Sequence, residues 1–281
     1  MKQFPIGVII NSFKLPIPLA VERAAQVGAK GIQVYATNGE MAPENMDTAK
    51  RRGFAALVQN HGLVISALCG DLGHGFYDPE SNRVNVEKSK RILDLAKELG
   101  TDVVTTHIGV VPTDKSEPRY AIMQEACFAL SRYADEVGAH FAIETGPESS
   151  AVLKEFLDSL NSRGVAVNLD PANLVMVTGD DPAQAVYNLR DYIVHTHAKD
   201  GVQNYYKDPE IVYGVKRDDA LVTAPSFLEV PLGEGQVPWD AYLAALEDIG
   251  FDGFLTIERE VGGNPEADIR KAVQFLNEKM K

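Results

Sequence analysis

Residues 141–170 have the sequence FAIETGPESSAVLKEFLDSLNSRGVAVNLD. An apolar, strand-like run ends on Glu144, an amphipathic stretch follows at residues 150–162, and a second apolar run ends on Asp170. A strand, a helix and a strand in this order are typical of a βαβ unit, in which a helix connects two parallel strands. Both strands of this unit therefore present a carboxylate at the same edge of the sheet.

The same alternation continues along the whole chain and gives eight units. Strands are predicted at residues 6–10, 31–35, 64–69, 103–107, 141–144, 165–170, 193–197 and 254–258. Helices are predicted at residues 18–27, 44–61, 84–99, 118–137, 150–162, 182–189, 238–249 and 265–279. Several helices begin with proline and end before glycine, as helices commonly do. The predicted fold class is α/β, a single (β/α)8 TIM barrel.

An open, doubly wound sheet is the alternative for such an alternation. It usually carries a glycine-rich phosphate turn after the first strand, and residues 11–15, NSFKL, are no such turn. A length of 281 residues with 45% hydrophobic content fits one barrel domain at residues 1–281. One connection is unusually long: residues 201–232, after the seventh strand, show little helical periodicity. We expect a lid or substrate wall there, with an oligomer contact or a disordered segment as alternatives.

Composition excludes several classes of protein. The formal net charge of -13 disfavours nucleic acid as a partner, because that binding depends on cationic side chains. No run of about 18 apolar residues predicts a membrane span, and the N-terminal residues do not resemble a signal peptide. Cys69 and Cys127 are too few for a disulfide framework. We therefore expect a cytoplasmic protein without a nucleic-acid or membrane partner, and a homo-oligomer is possible.

Four consecutive strands, the fifth to the eighth, end on residues of the type that bind metals: Glu144, Asp170, His197 and Glu258. A parallel barrel brings the C-terminal ends of its strands to one rim, so these side chains are expected to surround one point. Each residue alone has a plain alternative as a satisfied structural polar group. Together, three oxygen donors and one imidazole suit one divalent ion. Manganese is our first choice, and magnesium, cobalt or zinc are alternatives.

The chain resembles the xylose isomerase-like barrel superfamily, in its sugar isomerase and epimerase branch, which includes the ketose 3-epimerases. The resemblance lies in five segments, of which HTHAKD followed by GEGQVPW is the most specific: residues 143–146, 168–173, 195–200, 231–239 and 256–258. It implies a sugar substrate and one divalent metal ion held by Glu144, Asp170, His197 and Glu258. It also implies that Glu144 and Glu258 are the acid/base pair that moves a proton next to a sugar carbonyl.

The chain departs from the ketose epimerases at two places. Asn173 stands where those enzymes usually carry a histidine, and Lys199 or a residue of the long loop must replace an arginine after the ligand histidine. The endonuclease IV branch needs further histidines for three zinc ions, including one at position 173. Because that imidazole is missing and the chain is acidic, a nuclease is a remote alternative.

Four more residues are predicted to contact the substrate: His107, Glu148, Asn173 and Lys199. His107 has a supporting role for Glu144 as its alternative, and Glu148 has that of a solvated loop carboxylate. Lys199 has the alternative of a loop ion pair with Asp200. The main functional alternative to an isomerase is a metal-dependent lyase that eliminates a group β to a ketone, such as the aglycone of a keto-glycoside. A binding protein on an inactive barrel is a further alternative.

Overall fold

The computed structural model describes residues 2–218 and 224–281, and its main feature is a closed barrel of eight parallel strands. The strands are β1 (Ile6–Ile9), β2 (Gly31–Tyr35), β3 (Val64–Cys69), β4 (Val103–Thr106), β5 (His140–Glu144), β6 (Val165–Leu169), β7 (Ile193–Ala198), β8 (Asp200–Gln203), β9 (Phe227–Val230) and β10 (Leu255–Ile257). Strands β1 to β7 follow one another around the barrel, and β10 closes it between β7 and β1. The predicted TIM barrel is confirmed.

Helices alternate with the barrel strands and cover them. They are α1 (Ile17–Gln26), α2 (Thr48–Asn60), α3 (Pro79–Leu99), α4 (Pro118–Val137), α5 (Ser150–Leu160), α6 (Pro171–Asn173), α7 (Pro182–Leu189), α8 (Pro209–Val212), α9 (Trp239–Asp248) and α10 (Pro265–Lys279). Short 3₁₀ segments lie at Ile10–Phe13, Gly39–Met41 and Pro43–Asn45. In the part of the chain described, no helix is long and apolar enough to cross a membrane.

Local signals explain where the helices begin. Helix α3 starts at Pro79 and not at the predicted residue 84, because the Asp78 carboxylate accepts hydrogen bonds from the backbone N–H groups of Glu80 and Ser81. Helix α6 was not predicted, since three residues are too short for a periodic pattern. It continues into one π-helical segment, Leu174–Thr178, which we call the π-turn.

The long connection after β7 contains more regular structure than the sequence indicated. Strands β8 and β9 pair antiparallel, with Asp200 opposite Val230 and Gln203 opposite Phe227, and helix α8 lies between them. The sequence indicated none of these three elements, and the expected lid or substrate wall at residues 201–232 stays a prediction. Residues 219–223 of this connection lie outside the described residues. The β8–β9 ribbon stands on the C-terminal side of the barrel, directly after the β7 strand end.

The packing of helix α4 against the barrel depends on a close approach at Gly164, the residue before β6. A Cβ atom there would lie 2.2 Å from the Ser131 carbonyl oxygen and 2.5 Å from the Asp135 backbone nitrogen, both on α4. These backbone atoms cannot move away without shifting the helix. Gly53, on the exposed face of α2, has no atom within 4 Å of such a Cβ.

We predict opposite effects of alanine at these two glycines. Gly164→Ala should lower the free energy of unfolding by about 1–3 kcal/mol through overpacking against α4. Gly53→Ala should raise it by about 0.5–1 kcal/mol, because glycine within a helix costs backbone entropy. Urea unfolding followed by circular dichroism measures both. Equal stability of the two variants would contradict the packing derived for α4 and β6.

Candidate metal centre

Four ionisable side chains meet at the C-terminal end of the barrel. Glu144 ends β5, Asp170 directly follows β6, His197 lies on β7 and Glu258 directly follows β10. One potential ligand atom from each lies within 4.8 Å of the others, and all four residues are buried. His197 Nδ1 is 3.5 Å from Glu144 Oε1, 3.5 Å from Asp170 Oδ2 and 3.3 Å from Glu258 Oε2. The four predicted ligands are thus brought together around one point.

The far side of the His197 ring is held by a glutamine. His197 Nε2 is 3.1 Å from Gln33 Oε1, and Gln33 Nε2 donates to Thr105 Oγ1 at 2.9 Å. This orientation of the Gln33 amide makes its oxygen the acceptor for the His197 Nε2–H. Nδ1 then faces the carboxylates, where it carries a proton or, once that proton is lost, can bind a metal ion; this is the arrangement of a metal-binding histidine supported by a hydrogen bond.

A second hydrogen-bonded chain supports Glu144 from below. Thr256 Oγ1 lies 2.9 Å from His195 Nε2, and His195 Nδ1 lies 2.9 Å from Asn168 Oδ1. Asn168 Nδ2 donates to Glu144 Oε2 at 3.1 Å. Burial, and then the neighbouring His197, lowers the pKa of His195 well below its usual value. The neutral His195 therefore donates from Nδ1 and accepts at Nε2, so each donor in this chain has one acceptor.

The two glutamates remain ionised despite their burial. Burial alone raises the pKa of Glu144, but His107 and His197 outweigh it and lower the pKa below its usual value. Burial also raises the pKa of Glu258, and Lys199 and His197 outweigh it there. Burial lowers the pKa of His197, whereas the carboxylates of Glu258 and Glu144 raise it well above its usual value. The centre therefore attracts positive charge, either a proton or a metal ion.

The donor set fits a divalent metal ion. Asp170 uses Oδ1 to accept the backbone N–H of Asn173 at 2.9 Å, whereas its buried Oδ2 has no hydrogen-bond partner among the described residues. A buried carboxylate oxygen that accepts no hydrogen bond costs free energy unless a cation lies beside it. Three carboxylates and one imidazole match the preferences of manganese, magnesium, cobalt or zinc more than those of a metal that binds thiolates.

His107 and Asn173 both contact the centre and line the cavity above it. His107 Nε2 is 3.5 Å from Glu144 Oε1, and its ring lies 6.0 Å from that of Tyr213 on the segment after α8. Asn173 Nδ2 donates to Glu144 Oε1 at 3.0 Å. Each side chain supports Glu144 and also faces the space in which a ligand would lie. Both of the roles predicted for His107 are therefore compatible with its position.

Lys199 is buried and pairs with two glutamates. Its Nζ donates to Glu258 Oε2 at 3.1 Å and also binds the Glu260 carboxylate. The alternative of an ion pair with Asp200 is wrong, because Asp200 points to the opposite side of the strand. There the Asp200 carboxylate accepts from the backbone N–H groups of Gly233 and Val237 and from the Trp239 indole N–H at 2.9, 3.2 and 2.9 Å.

Glu148 is buried in the loop after β5. The side chain is buried, so a solvated loop carboxylate is wrong, and it is absent from the described residues that line the cavity. The loop after β5 turns toward the loop after β4, where Glu148 Oε2 accepts the Val111 backbone N–H at 3.0 Å and Oε1 has no partner among the described residues. Burial raises the pKa of Glu148 to about 8.

A cavity of about 540 Å³ opens above the centre. Its volume falls in the range of roughly 300–1,000 Å³ typical of small-molecule sites. The sequence predicts no role for Glu229 on the cavity wall or for the four residues beneath the ligands, Gln33, Asn168, His195 and Thr256. Tyr213, also on the cavity wall, lies within the segment expected to form a lid or substrate wall. A polar residue two positions before a strand-end ligand was the available signal for Asn168, His195 and Thr256, because alternate residues of a strand share a face.

A closed parallel barrel with a buried carboxylate–imidazole centre at its C-terminal rim defines a class of metal-site barrels. The family model described as xylose isomerase-like TIM barrel matches residues 21–279. The chain belongs to this family. The resemblance to the xylose isomerase-like barrel superfamily drawn from the sequence is thereby confirmed.

Three known proteins illustrate the family. An inosose dehydratase of Lacticaseibacillus casei is 27% identical over 164 residues, which span 54% of this chain and 51% of that protein. The crystal structure of a xylose isomerase domain protein from Planctomyces limnophilus is 26% identical, with a TM-score of 0.79 and coverage of 98% and 96% of the two chains. The D-psicose 3-epimerase of Clostridium cellulolyticum H10, 13% identical with a TM-score of 0.73 over 99% and 100% of the chains, shares the fold.

We predict that metal binding depends on Asp170. Wild-type protein should bind about one manganese ion per chain and gain thermal stability with it, because a ligand of the folded state stabilises that state by mass action. Asp170→Asn removes a ligand charge and should weaken binding beyond the roughly 10–100-fold loss seen when only a supporting partner is removed. Asp71→Asn, in the cavity but outside the centre, is the matched control. Calorimetric titration that gives the two variants equal affinities would contradict the assignment.

We predict that Glu148 makes stability fall as pH rises. Its folded-state pKa of about 8 exceeds the value of 4.5 expected in the unfolded chain. Below that lower value both states are protonated, whereas between the two values only the unfolded chain releases the proton. Stability should therefore fall by up to about 1.4 kcal/mol per pH unit between about pH 5 and pH 8. Glu148→Gln should lack this component.

Urea unfolding of wild type and Glu148→Gln at several pH values tests the prediction. Glu148→Gln leaves every other titratable group in place, so the difference between the two free energies of unfolding from pH 5 to pH 8 reports chiefly on Glu148. A difference that stays constant from pH 5 to pH 8 would show that Glu148 is ionised in the folded state.

Proposed function

We propose that the chain is a divalent-metal-dependent sugar isomerase or epimerase, with Glu144 and Glu258 as its acid/base pair. One observation carries the proposal: two buried glutamates, each fixed by its own set of neighbours, face one cavity beside His197. Asn168 and Asn173 bind the two oxygens of Glu144, and Lys199 binds Glu258. Two separately held carboxylates are what proton transfer on two sides of a carbon requires.

The chemistry needs a carbonyl next to a carbon that bears hydrogen. A bound divalent ion, manganese as our first choice, would polarise that carbonyl and acidify the adjacent C–H. One glutamate takes the proton as the C–H bond breaks, and the electron pair moves toward the carbonyl oxygen. The other glutamate returns a proton to the opposite face of the same carbon in epimerisation. Return of a proton to the neighbouring carbon, together with transfer of the hydroxyl proton to the former carbonyl oxygen, instead interconverts an aldose and a ketose.

The other side chains of the cavity orient the substrate in this proposal. His107 and Asn173 face the ligand space from the Glu144 side, where they would bind sugar hydroxyls. Lys199 keeps Glu258 ionised and in place. Glu148 is left out of the substrate contacts in this proposal, because it is not among the described residues that line the cavity and its Oε2 accepts the Val111 backbone N–H.

A metal-dependent lyase is the second candidate, and the 27% identity with inosose dehydratase over about half of both chains favours it. Removal of the same proton followed by loss of a group β to the ketone is a lyase reaction. Incubation with a keto-glycoside separates the candidates: a lyase releases the aglycone, whereas an epimerase returns an isomeric glycoside. We disfavour a nuclease because Asn173 supplies no imidazole and because the net charge is -13.

We predict that either Glu144→Gln or Glu258→Gln abolishes proton exchange at the substrate carbon. General acid–base groups typically contribute about 10²–10⁴-fold, so exchange should fall by at least about 100-fold in each variant. The assay follows deuterium incorporation from D₂O into a panel of ketoses by NMR, with manganese-loaded protein. Glu125→Gln, an exposed change of the same type on α4, is prepared and loaded with manganese in the same way and serves as the control. Full exchange in either glutamate variant would reject the mechanism.

A further inference from the structure

The cavity above the metal centre has two chemically different halves. Its floor carries the ionisable residues, and one side wall is apolar. The apolar wall consists of residues from the π-turn, helix α8 and the residue after it, strand β9 and the segment after β10: Met176, Val177, Val212, Tyr213, Phe227, Leu228 and Val261. We call this set the apolar wall. A free sugar offers hydroxyl groups in every direction, so it leaves such a wall largely unused.

Part of the apolar wall is exposed to solvent. The side chains of Leu228 and Val261 are 48% and 49% exposed, and both line the cavity. Exposed leucine and valine are unremarkable when scattered, but an apolar patch continuous with a polar site marks a place that a ligand covers. A ligand that reaches from the metal centre to Leu228 would bury this surface.

The apolar wall is fixed to the barrel and is not an open flap. Arg259 donates to Glu229 Oε1 on β9 at 2.7 Å, and the Glu260 backbone N–H donates to the same oxygen at 3.1 Å. On the other strand, Gln203 Nε2 donates to the carbonyl oxygens of Met176 and Val177 at 3.2 Å. The wall is therefore preorganised, which reduces the entropy that a ligand must overcome on binding.

Charge in the cavity opposes an anionic substrate. The lining carries five carboxylates, at Asp71, Glu144, Glu229, Glu258 and Glu260. The lysine of the lining, Lys199, is already paired with Glu258 and Glu260, and Arg259 behind the wall is paired with Glu229 and Asp268. Within residues 2–218 and 224–281, no unpaired lysine or arginine lines the cavity for a phosphate or carboxylate.

We propose that the substrate is an uncharged sugar derivative with an apolar substituent, such as an aryl or alkyl glycoside, and that the substituent packs on the apolar wall. The sugar lies at the metal centre, and the substituent extends toward Leu228. Only the position of the sugar at the metal centre rests on the proposed function. The preference for an apolar group follows from the wall itself and holds for an epimerase or a lyase.

Binding of unreactive ligands tests the proposal. Phenyl and methyl β-D-glycosides of glucose, galactose and xylose form matched pairs without a ketone, so they bind without turnover. Calorimetry with metal-free and manganese-loaded protein should show the phenyl member binding at least about tenfold tighter in at least one pair, which corresponds to about 1.4 kcal/mol. Equal or undetectable binding of both members in every pair overturns the proposal.

A matched pair of variants locates the effect. Leu228→Ser should remove most of the preference for the phenyl member and leave the affinity for the methyl member unchanged. Leu19→Ser on α1 changes a leucine of nearly equal exposure, 46%, away from the cavity, and should change neither. An unchanged phenyl preference in Leu228→Ser overturns the placement. Sedimentation gives a second test of the placement. If the wild type is a dimer and Leu228→Ser is a monomer, a second copy of the chain covers the apolar wall, and the placement is overturned.

Phosphorylated ligands test the charge argument. D-glucose 6-phosphate should bind the manganese-loaded protein at least about tenfold more weakly than methyl β-D-glucoside, because carboxylates repel its phosphate. Equal or tighter binding of the phosphate overturns the assignment to uncharged substrates. These measurements are independent of proton exchange, so a failed proposal on the wall is distinguishable from a failed acid/base mechanism.

Discussion

The structure depends on the burial of three carboxylates around one imidazole at the end of a barrel. Each of Glu144, Asp170 and Glu258 would be costly to bury alone, and mutual repulsion adds to that cost. The protein offsets this cost with hydrogen bonds to Glu144 and an ion pair to Glu258. Asp170 Oδ2 has no hydrogen-bond partner among the described residues, and a cation can bind there. A bound divalent metal ion would complete this balance, because it would supply positive charge that the neighbouring side chains do not provide.

The barrel supplies the rigidity that such a balance needs. The residues beneath the centre lie on barrel strands that are hydrogen-bonded to a neighbouring strand on both sides. Each of these residues orients a side chain of the centre that comes from an adjacent strand or from across the barrel. Gln33 on β2 orients His197 on β7, and Asn168 on β6 orients Glu144 on β5. Because alternate residues of a strand face inward, the ligand and its support come from successive inward positions. The candidate metal centre and the stability of the barrel therefore depend on the same strands.

Much of the fold and the four ligands could be predicted, because both follow from short-range patterns. Apolar runs that end on Glu144 or Asp170 mark the strands and their rim ends within a few residues. Contacts between distant segments could not be predicted in this way. The sequence predicts a substrate contact or a solvated loop carboxylate at Glu148, yet the fold buries it against the Val111 backbone 37 positions away. The β8–β9 pairing was missed, since its strands are short and separated by 23 residues, 204–226.

The segment HTHAKD shows how one strand end combines three tasks. His197 and Lys199 share the inward face, so one contributes to the centre and the other holds Glu258. The Asp200 carboxylate instead accepts hydrogen bonds from the backbone N–H groups of Gly233 and Val237, in the segment after β9. Gly235 of that segment must be glycine, because a Cβ atom there would lie 2.1 Å from Asp200 Oδ1. The residue spacing therefore couples the metal centre to the base of the β8–β9 ribbon. A one-residue insertion in this segment would exchange the inward and outward faces, and it would disrupt the centre and the apolar wall together.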